Sequence, residues 1–260
     1  MALALNAMRA IVDRLYRHPV KGFTPEPLER AELVAGACFP NDRLFAVENG
    51  PSGFDPAAPG HISKSKFTVL AQIAEVAKAR TAYDATTGVL SASAEGQPDF
   101  AGNLHTSAGR DAFEAWLAAL LGEAATGPLN VIEGPGAHRF MDHPLGHVSI
   151  INLASVRDLE AKIGRPVDPL RFRANLYVEG WDAWAENGWA GRALFLGGAR
   201  ATVYKPIVRC AATAVDPTTA ERDIDIPAAL FEHYAHVLCG IYVNVTEGGV
   251  IAVGDTLELT

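Results

Sequence analysis

Cysteine is scarce in this chain. Only Cys38, Cys210 and Cys239 occur among 260 residues. They are widely spaced and odd in number, which excludes a disulfide framework and points to a reducing compartment, with a cytoplasmic protein as the expectation. Three thiols also fall short of the four that a 2Fe–2S ferredoxin centre needs, so a redox enzyme with this sequence takes its electrons from a separate protein. Positive charge is in deficit: 22 Lys and Arg stand against 30 Asp and Glu, a net charge of −8. That balance argues against nucleic-acid and anionic-membrane partners, and it requires any anionic ligand to be held by a local basic cluster. No apolar run approaches the ~18 residues of a membrane-spanning helix. Residues 1–10 hold a short apolar patch broken by Asn6 and Arg9, without the basic start and full apolar segment of a signal peptide. There is no internal repeat and no low-complexity tail.

What is present is ordinary for a globular protein: 49% hydrophobic and 20% charged residues, enough for one sizeable domain or two smaller ones. Short runs of strand character recur at 10–16, 28–33, 44–47, 83–93, 129–132, 147–153, 175–179, 193–196, 199–204, 240–246 and 252–259, separated by turn formers. Segment 67–79 has a more helical pattern. The clearest helix covers 110–121, where Phe113, Trp116, Leu117, Leu120 and Leu121 share one face and Gly122 ends it. A second helix starts at Ser155 and ends near Gly164; a third runs from Pro227 to about His236, with Asp225 at its start. Many short strands with few helices fit closed antiparallel barrels. The fold class expected is therefore mainly β with a few helices, arranged as two consecutive β-barrel-like domains. The Pro/Gly-rich loop from Gly134 to Gly146 divides them, giving domains at 1–137 and 138–260.

The chemistry concentrates in Lys205-Pro206-Ile207-Val208-Arg209-Cys210-Ala211-Ala212-Thr213-Ala214-Val215-Asp216-Pro217. A guanidinium beside a thiol favours the thiolate, the form that attacks electrophiles and binds soft metals. An isolated cysteine is, by contrast, most often a small buried hydrophobe, and that is the reading for Cys38 and Cys239, which lack basic neighbours. Asp216, next to proline, reads as a turn carboxylate. Trp181, Trp184 and Trp189 read as buried anchors. His138, Asp142, His143 and His147 fall within ten residues of one another but in a loop without cysteine, unlike a compact metal site, and suit the rim of a pocket.

Arg209-Cys210 with its following Thr213 and Val215-Asp216-Pro217 resembles the cysteine motif of the MOSC family, the molybdenum-cofactor sulfurase C-terminal domains, a group that includes the amidoxime-reducing components. The likeness extends along the chain. Leu15-Tyr16-Arg17-His18-Pro19-Val20-Lys21-Gly22 is similar to the Tyr-Pro-Val-Lys-Ser opening of the family's N-terminal β-barrel domain, and Asn41-Asp42-Arg43-Leu44-Phe45 to its Asp-Arg-aromatic element. Arg171-Phe172-Arg173-Ala174-Asn175 resembles the Phe-Arg-Pro-Asn element of the catalytic domain, Trp184 to Trp189 the acidic-Trp stretch after it, and Gly248 to Asp255 the closing strand pair. The resemblance implies molybdenum–molybdopterin as cofactor, contacted by Lys21, Arg43, Ser155, Arg173, Asn175 and Arg209, with Cys210 on the metal. Pyridoxal phosphate binding is a further family-level implication, to which no residue is assigned. The selection makes physical sense. A phosphate and an anionic dithiolene need localised cations, for which arginine offers a planar fork and lysine a point charge. A helix start at Ser155 is a natural phosphate seat, and thiolate suits a soft metal site. Gly22 stands where the family has serine and Ala174 where it has proline.

The activity implied is reduction of N-hydroxylated compounds (amidoximes, hydroxylamines, N-hydroxylated bases), with electrons from a ferredoxin, flavoprotein or cytochrome-type partner. The alternative is a sulfur carrier, in which Cys210 holds a persulfide for delivery to a cofactor or metal–sulfur cluster; the same thiol serves both schemes.

Overall fold

The structure is a computed structural model that describes residues 8–260; the reading of residues 1–10 falls almost wholly outside the described residues. In chain order the elements are β1 (Arg9–Arg17), β2 (Glu26–Leu28), β3 (Arg30–Leu33), β4 (Phe45–Asn49), β5 (Arg80–Asp84), β6 (Val89–Ser93), β7 (Phe100–Asn103), α1 (Ser107–Leu121), β8 (Leu129–Glu133), β9 (Val148–Asn152), α2 (Leu153–Ile163), β10 (Leu176–Glu179), β11 (Ala193–Leu196), β12 (Ala199–Val208), α3 (Ile226–Tyr234), β13 (Leu238–Glu247), β14 (Gly249–Ala252) and β15 (Thr256–Leu259). The fold is mostly β, as expected, and closes a barrel.

Seven strands form that barrel, in the order β10-β9-β13-β12-β11-β15-β1 with β1 pairing back to β10. Closure leaves no free edge to be covered, a stable answer for strands this short. Val12 and Leu15 of β1, Val148 and Ile150 of β9, Leu194 and Leu196 of β11, and Val243 and Leu257 all pack into one core. The period-two burial of β1 and β12 follows from alternate side chains pointing inward. The ring is antiparallel except at β9–β10, where α2 makes the crossover that a parallel pair requires. Both α2 and α3 lie against the barrel through a second apolar cluster that includes Val156, Leu159, Phe172, Tyr177, Leu230 and Cys239.

The first half supplies a β4–β8 ribbon and a β5-β6-β7 sheet. Helix α1 packs Phe113, Trp116, Leu117 and Leu121 against Phe23, Phe45 and Leu90. The Thr106 hydroxyl accepts a hydrogen bond from the Gly109 N–H at its start, and Gly122, with φ 52°, ends it.

Two expectations change, at 67–79 and at the start of α2; one strand, β7, was not expected, and strands run across the division at 137. The division at residue 137 is crossed by the strands, because β1 is a stave of the barrel, β2 extends from it, and β3 pairs with β14. Segment 67–79 is not a helix. Phe67 and Thr68 are drawn into bridges with Glu48 and Val47, tertiary pairing that overrides a weak helical pattern, and only Ala74–Lys78 winds into a short 3-10 turn. Helix α2 starts at Leu153, capped by the Asn152 side chain accepting from the Ala154 N–H, so Ser155 lies inside the helix. Strand β7, holding Gly102 and Asn103, has too little β propensity to announce itself.

Gly240 is where the barrel leaves no room. Its φ is +74°, and a Cβ there would sit 2.4 Å from the Ile150 carbonyl oxygen. Gly240→Ala is expected to lower unfolding stability by about 2–3 kcal/mol in urea titrations; an unchanged midpoint would show that the strands can part at this point.

Candidate functional site

Two backbone pairings bring the first half's cations to the barrel. The Lys21 N–H donates to the Phe45 carbonyl (2.8 Å), and the Arg43 N–H to the His18 carbonyl (2.6 Å). Lys21 and Arg43 are thereby placed on adjoining stretches, both buried. From the barrel side, the turn Pro169–Phe172 ends at Arg173 in a left-handed conformation, φ 54°. Arg43 is left-handed as well, φ 50°. Two large residues in a sparsely populated region cost backbone energy that the surrounding structure must hold in place, a pattern found at functional sites.

Strand β12 runs to Val208, further than the alternation in sequence indicates, and delivers Cys210 to the mouth of the space between the halves. Register shifts between Val203 and Lys205 and between Pro206 and Val208 let proline sit in a paired strand. After Cys210 the chain turns, with the Cys210 carbonyl accepting from the Thr213 N–H (3.0 Å) and hydroxyl (2.8 Å). Arg171, 3% exposed, braces that turn by donating to the Ala214 carbonyl and pairing with Asp216 and Asp223. Asp216 meanwhile accepts from the Thr218 and Thr219 N–H groups. It is a turn carboxylate.

The result is a cavity of about 310 Å³ between the halves, lined by Lys21, Arg43, Arg173, Arg209 and Cys210 among others, a size proper to a small-ligand pocket. Five of the seven residues singled out in the sequence meet there. Asn175 does not line it. Fully buried, Asn175 accepts from the Ser149 N–H (3.0 Å) and hydroxyl (2.9 Å) and donates to Asp42 (3.0 Å). It buttresses the wall that Ser149 presents to the cavity. Ser155 lies away from the cavity too. Its hydroxyl donates to Glu186 (2.8 Å) and accepts from the Trp184 N–H (2.8 Å), and Asn152 also donates to Glu186 (2.9 Å). Burial raises the Glu186 carboxyl, while the Asn152 and Ser155 bonds oppose that rise.

Charge in the cavity is densely coupled. Asp42, fully buried, accepts from the His18 N–H (2.6 Å) and pairs with Arg43. Burial alone would raise Asp42; Arg43 and the hydrogen bonds outweigh it and hold the carboxyl well below its ordinary value of 3.8. Burial lowers Lys21, and its Asp142 partner only partly offsets this. Arg173, donating to the Phe23 carbonyl, is pushed down to about 10 by burial and by the neighbouring Arg43.

Arg209 is not the cation that faces Cys210, although it precedes it in sequence. Its guanidinium turns back to the carbonyls of Cys239 (2.8 Å) and Phe172 (2.8 Å) and stacks 5.2 Å from the Phe172 ring. Successive residues leaving a strand point to opposite sides. Lys64 lines the cavity with Cys210; burial would lower its ammonium, but the neighbouring Cys210, Asp142 and Tyr242 hold it above its usual value. Lys64, Lys205, Asp142, His143, Arg171, Ser149 and Tyr242 line the cavity without having been singled out as cofactor contacts. Cys239 is buried and pushed up to about 12. Cys38 is half-buried beside a separate groove that it shares with His138 and His147, so the four histidine-loop residues are split between two spaces. Trp181 and Trp189 pack edge to face at 4.8 Å, and Trp184 lies 4.4 Å from Tyr234; all three are anchors.

The two departures have local reasons. A Cβ on Gly22, φ +91°, would lie 2.6 Å from the Thr68 carbonyl oxygen, so serine has no room. The Ala174 N–H donates to the Tyr177 hydroxyl (3.0 Å), a bond proline cannot make, and proline would disfavour the helical-type backbone of Arg173 before it.

One thiol at the mouth of a space walled by buried cations defines a site for an anionic group that takes a soft ligand. That class agrees with comparison to known proteins. The MOSC N-terminal beta barrel domain matches residues 9–127 and the MOSC domain residues 137–258; the chain belongs to the MOSC family. It is 28% identical over 122 residues to mitochondrial amidoxime-reducing component 1 of Homo sapiens, covering 42% of this chain and 36% of that protein. Identity to mitochondrial amidoxime reducing component 2 of Bos taurus is 30% over 120 residues, covering 42% and 35%. The matched segment thus spans about a third of these relatives' length. Among solved structures, the YUAD protein of Bacillus subtilis aligns with a TM-score of 0.45 at 13% identity, over 97% of this chain and 96% of that one.

Removing the Arg43 guanidinium would strand the Asp42 charge in the interior. Arg43→Ala is expected to cost about 3–5 kcal/mol at neutral pH, read from urea unfolding; a loss below about 1 kcal/mol would mean the carboxylate is otherwise compensated. Because Asp42 titrates lower in the folded than in the unfolded chain, its contribution is complete above 3.8 and lost as pH falls below that value. Ser155→Ala should lower stability by about 1 kcal/mol or more without changing cofactor content per chain; loss of cofactor would return Ser155 to the site.

Proposed function

We propose that the protein is a molybdenum-cofactor-dependent oxidoreductase that reduces N-hydroxylated compounds such as amidoximes, hydroxylamines and N-hydroxylated bases. The observation that carries this reading is the convergence of Cys210 with Lys21, Arg43 and Arg173 around one cavity. The donor set fits the cofactor: buried cations for its phosphate and dithiolene charges, and one thiol for a metal already held by sulfur. Lys21, Arg43 and Arg173 would hold the anionic part, and Cys210 the metal. When bound, the cofactor supplies the two-electron couple that N–O cleavage needs.

The chain's own residues do the rest. Enclosure between the halves keeps bulk water from the cations and strengthens their hold on an anion. The rigid turn at Cys210, fixed by Thr213 and Arg171, sets the direction of the sulfur. Overall, the N–O bond breaks with two electrons and two protons, and the oxygen leaves as water. The electrons come from a separate protein of ferredoxin, flavoprotein or cytochrome type.

The test is molybdenum and pterin analysis of the purified protein, followed by a reductase assay with an artificial electron donor and a panel of N-hydroxylated compounds. Near-stoichiometric cofactor and turnover are expected. Cys210→Ser should lower molybdenum retention and activity by roughly tenfold or more while the far-ultraviolet circular dichroism stays native. A cyanide-labile sulfur on Cys210 without molybdenum would overturn the reductase in favour of a sulfur carrier.

A further inference from the structure

Lys64 and Lys205 differ from the other cations of the cavity. Lys21, Arg43 and Arg171 pair with carboxylates, and Arg173 and Arg209 donate to backbone carbonyls. Among the described residues, Lys64 and Lys205 have neither kind of oxygen partner, and both are half-exposed where the deeper lysine, Lys21, is buried. They mark the open side of the space.

Aromatic rings stand beside them. The His143 ring lies 5.3 Å from Tyr204 and 6.1 Å from Tyr242, and the Lys205 ammonium is 5.3 Å from the centre of the Tyr204 ring. His143 is held below its ordinary value by burial and by Lys205, so it stays largely neutral at pH 7 and offers a flat polarisable face. In a chain whose net charge is −8, the unpaired Lys205 ammonium, among a lining in which seven Lys and Arg face one carboxylate, Asp142, creates a local reversal of sign that draws an anion in.

We propose that this mouth selects among N-hydroxylated substrates for those that carry an acidic substituent on an aromatic ring, the acid lying against Lys205 and the ring against His143 and Tyr242. The inference rests on the reductase reading for its substrate class. It assigns Lys205 to the substrate, in contrast to Lys21, Arg43 and Arg173, which face the cofactor. The acid group lies at Lys205 while the N–O end points toward Cys210, which lines the same space.

The experiment uses the cofactor-loaded protein and two substrates of nearly equal shape, 4-carboxybenzamidoxime and benzamidoxime, with an artificial donor. In wild type the ratio of kcat/KM, acidic over neutral, is expected to be roughly tenfold or more, about the effect of one partly screened charge contact. It should shrink as salt is raised, fall toward unity in Lys205→Ala, and fall below unity in Lys205→Glu. Molybdenum and pterin are measured per chain in each variant. A wild-type ratio near unity overturns the proposal, and so does loss of cofactor from the Lys205 variants, which would place that lysine on the cofactor. Should loaded protein reduce neither compound, the reductase reading fails by itself. Equilibrium titration with 4-carbamoylbenzoate against benzamide then decides the mouth separately: tighter binding of the acid by roughly tenfold supports it, and equal affinity overturns it.

Discussion

The buried carboxylate of Asp42 is the constraint on which the site depends. It accepts hydrogen bonds from the His18 N–H and from Asn175, and it pairs with Arg43. His18 and Arg43 belong to the first half of the chain, whereas Asn175 leads into strand β10 of the barrel. One charge with no access to water therefore ties together three stretches that sequence keeps far apart. Burying a carboxylate is tolerable only when it is paired and fully hydrogen-bonded, so the requirement to satisfy Asp42 fixes where Arg43 and Asn175 must be. Arg173, two residues before Asn175, follows. The gathering of cations around the cavity is, in this sense, a consequence of one anion placed behind them.

The same economy explains how an acidic protein presents a basic hollow. Most of the cations are held by partners outside the lining: Arg43 by Asp42, Arg171 by Asp216 and Asp223, Arg173 by a backbone carbonyl, whereas Lys21 pairs with Asp142, which lines the cavity itself. These partners orient the guanidinium groups, and the lining as a whole carries seven Lys and Arg against one carboxylate, Asp142. The barrel contributes rigidity. Its closure through β1 and β10 makes the chain's first strand part of the frame that carries Cys210, so the two family domains share a sheet.

Much of this was legible in the sequence, for identifiable reasons. Alternation in 193–196 and 199–204 and the apolar face of 110–121 are local signals, and local signals survive into the fold. Cys210, Arg43, Arg173 and Lys21 were found because they sit in motifs resembling those of a family. Adjacency misled at Arg209, whose guanidinium goes to carbonyls behind the strand, and at Ser155, where Asn152 took the capping role and left the hydroxyl to a buried glutamate. Lys64 and Lys205 could not be read in advance. Lys64 has no distinctive neighbour and reaches the cavity only through long-range packing, and Lys205, although it opens the stretch that ends in Arg209-Cys210, gives no local sign of facing the same space. Strand β1 crossing between the halves was equally hidden, because strand character says nothing about which strand will be the partner.

The central claim is that the Cys210 sulfur is aimed at a metal held in this hollow. X-ray absorption at the molybdenum edge of the native protein tests it most directly, by counting sulfur neighbours of the metal. The account predicts three: two from the dithiolene and one from Cys210. A metal with only the two dithiolene sulfurs, or no molybdenum at all, would contradict it.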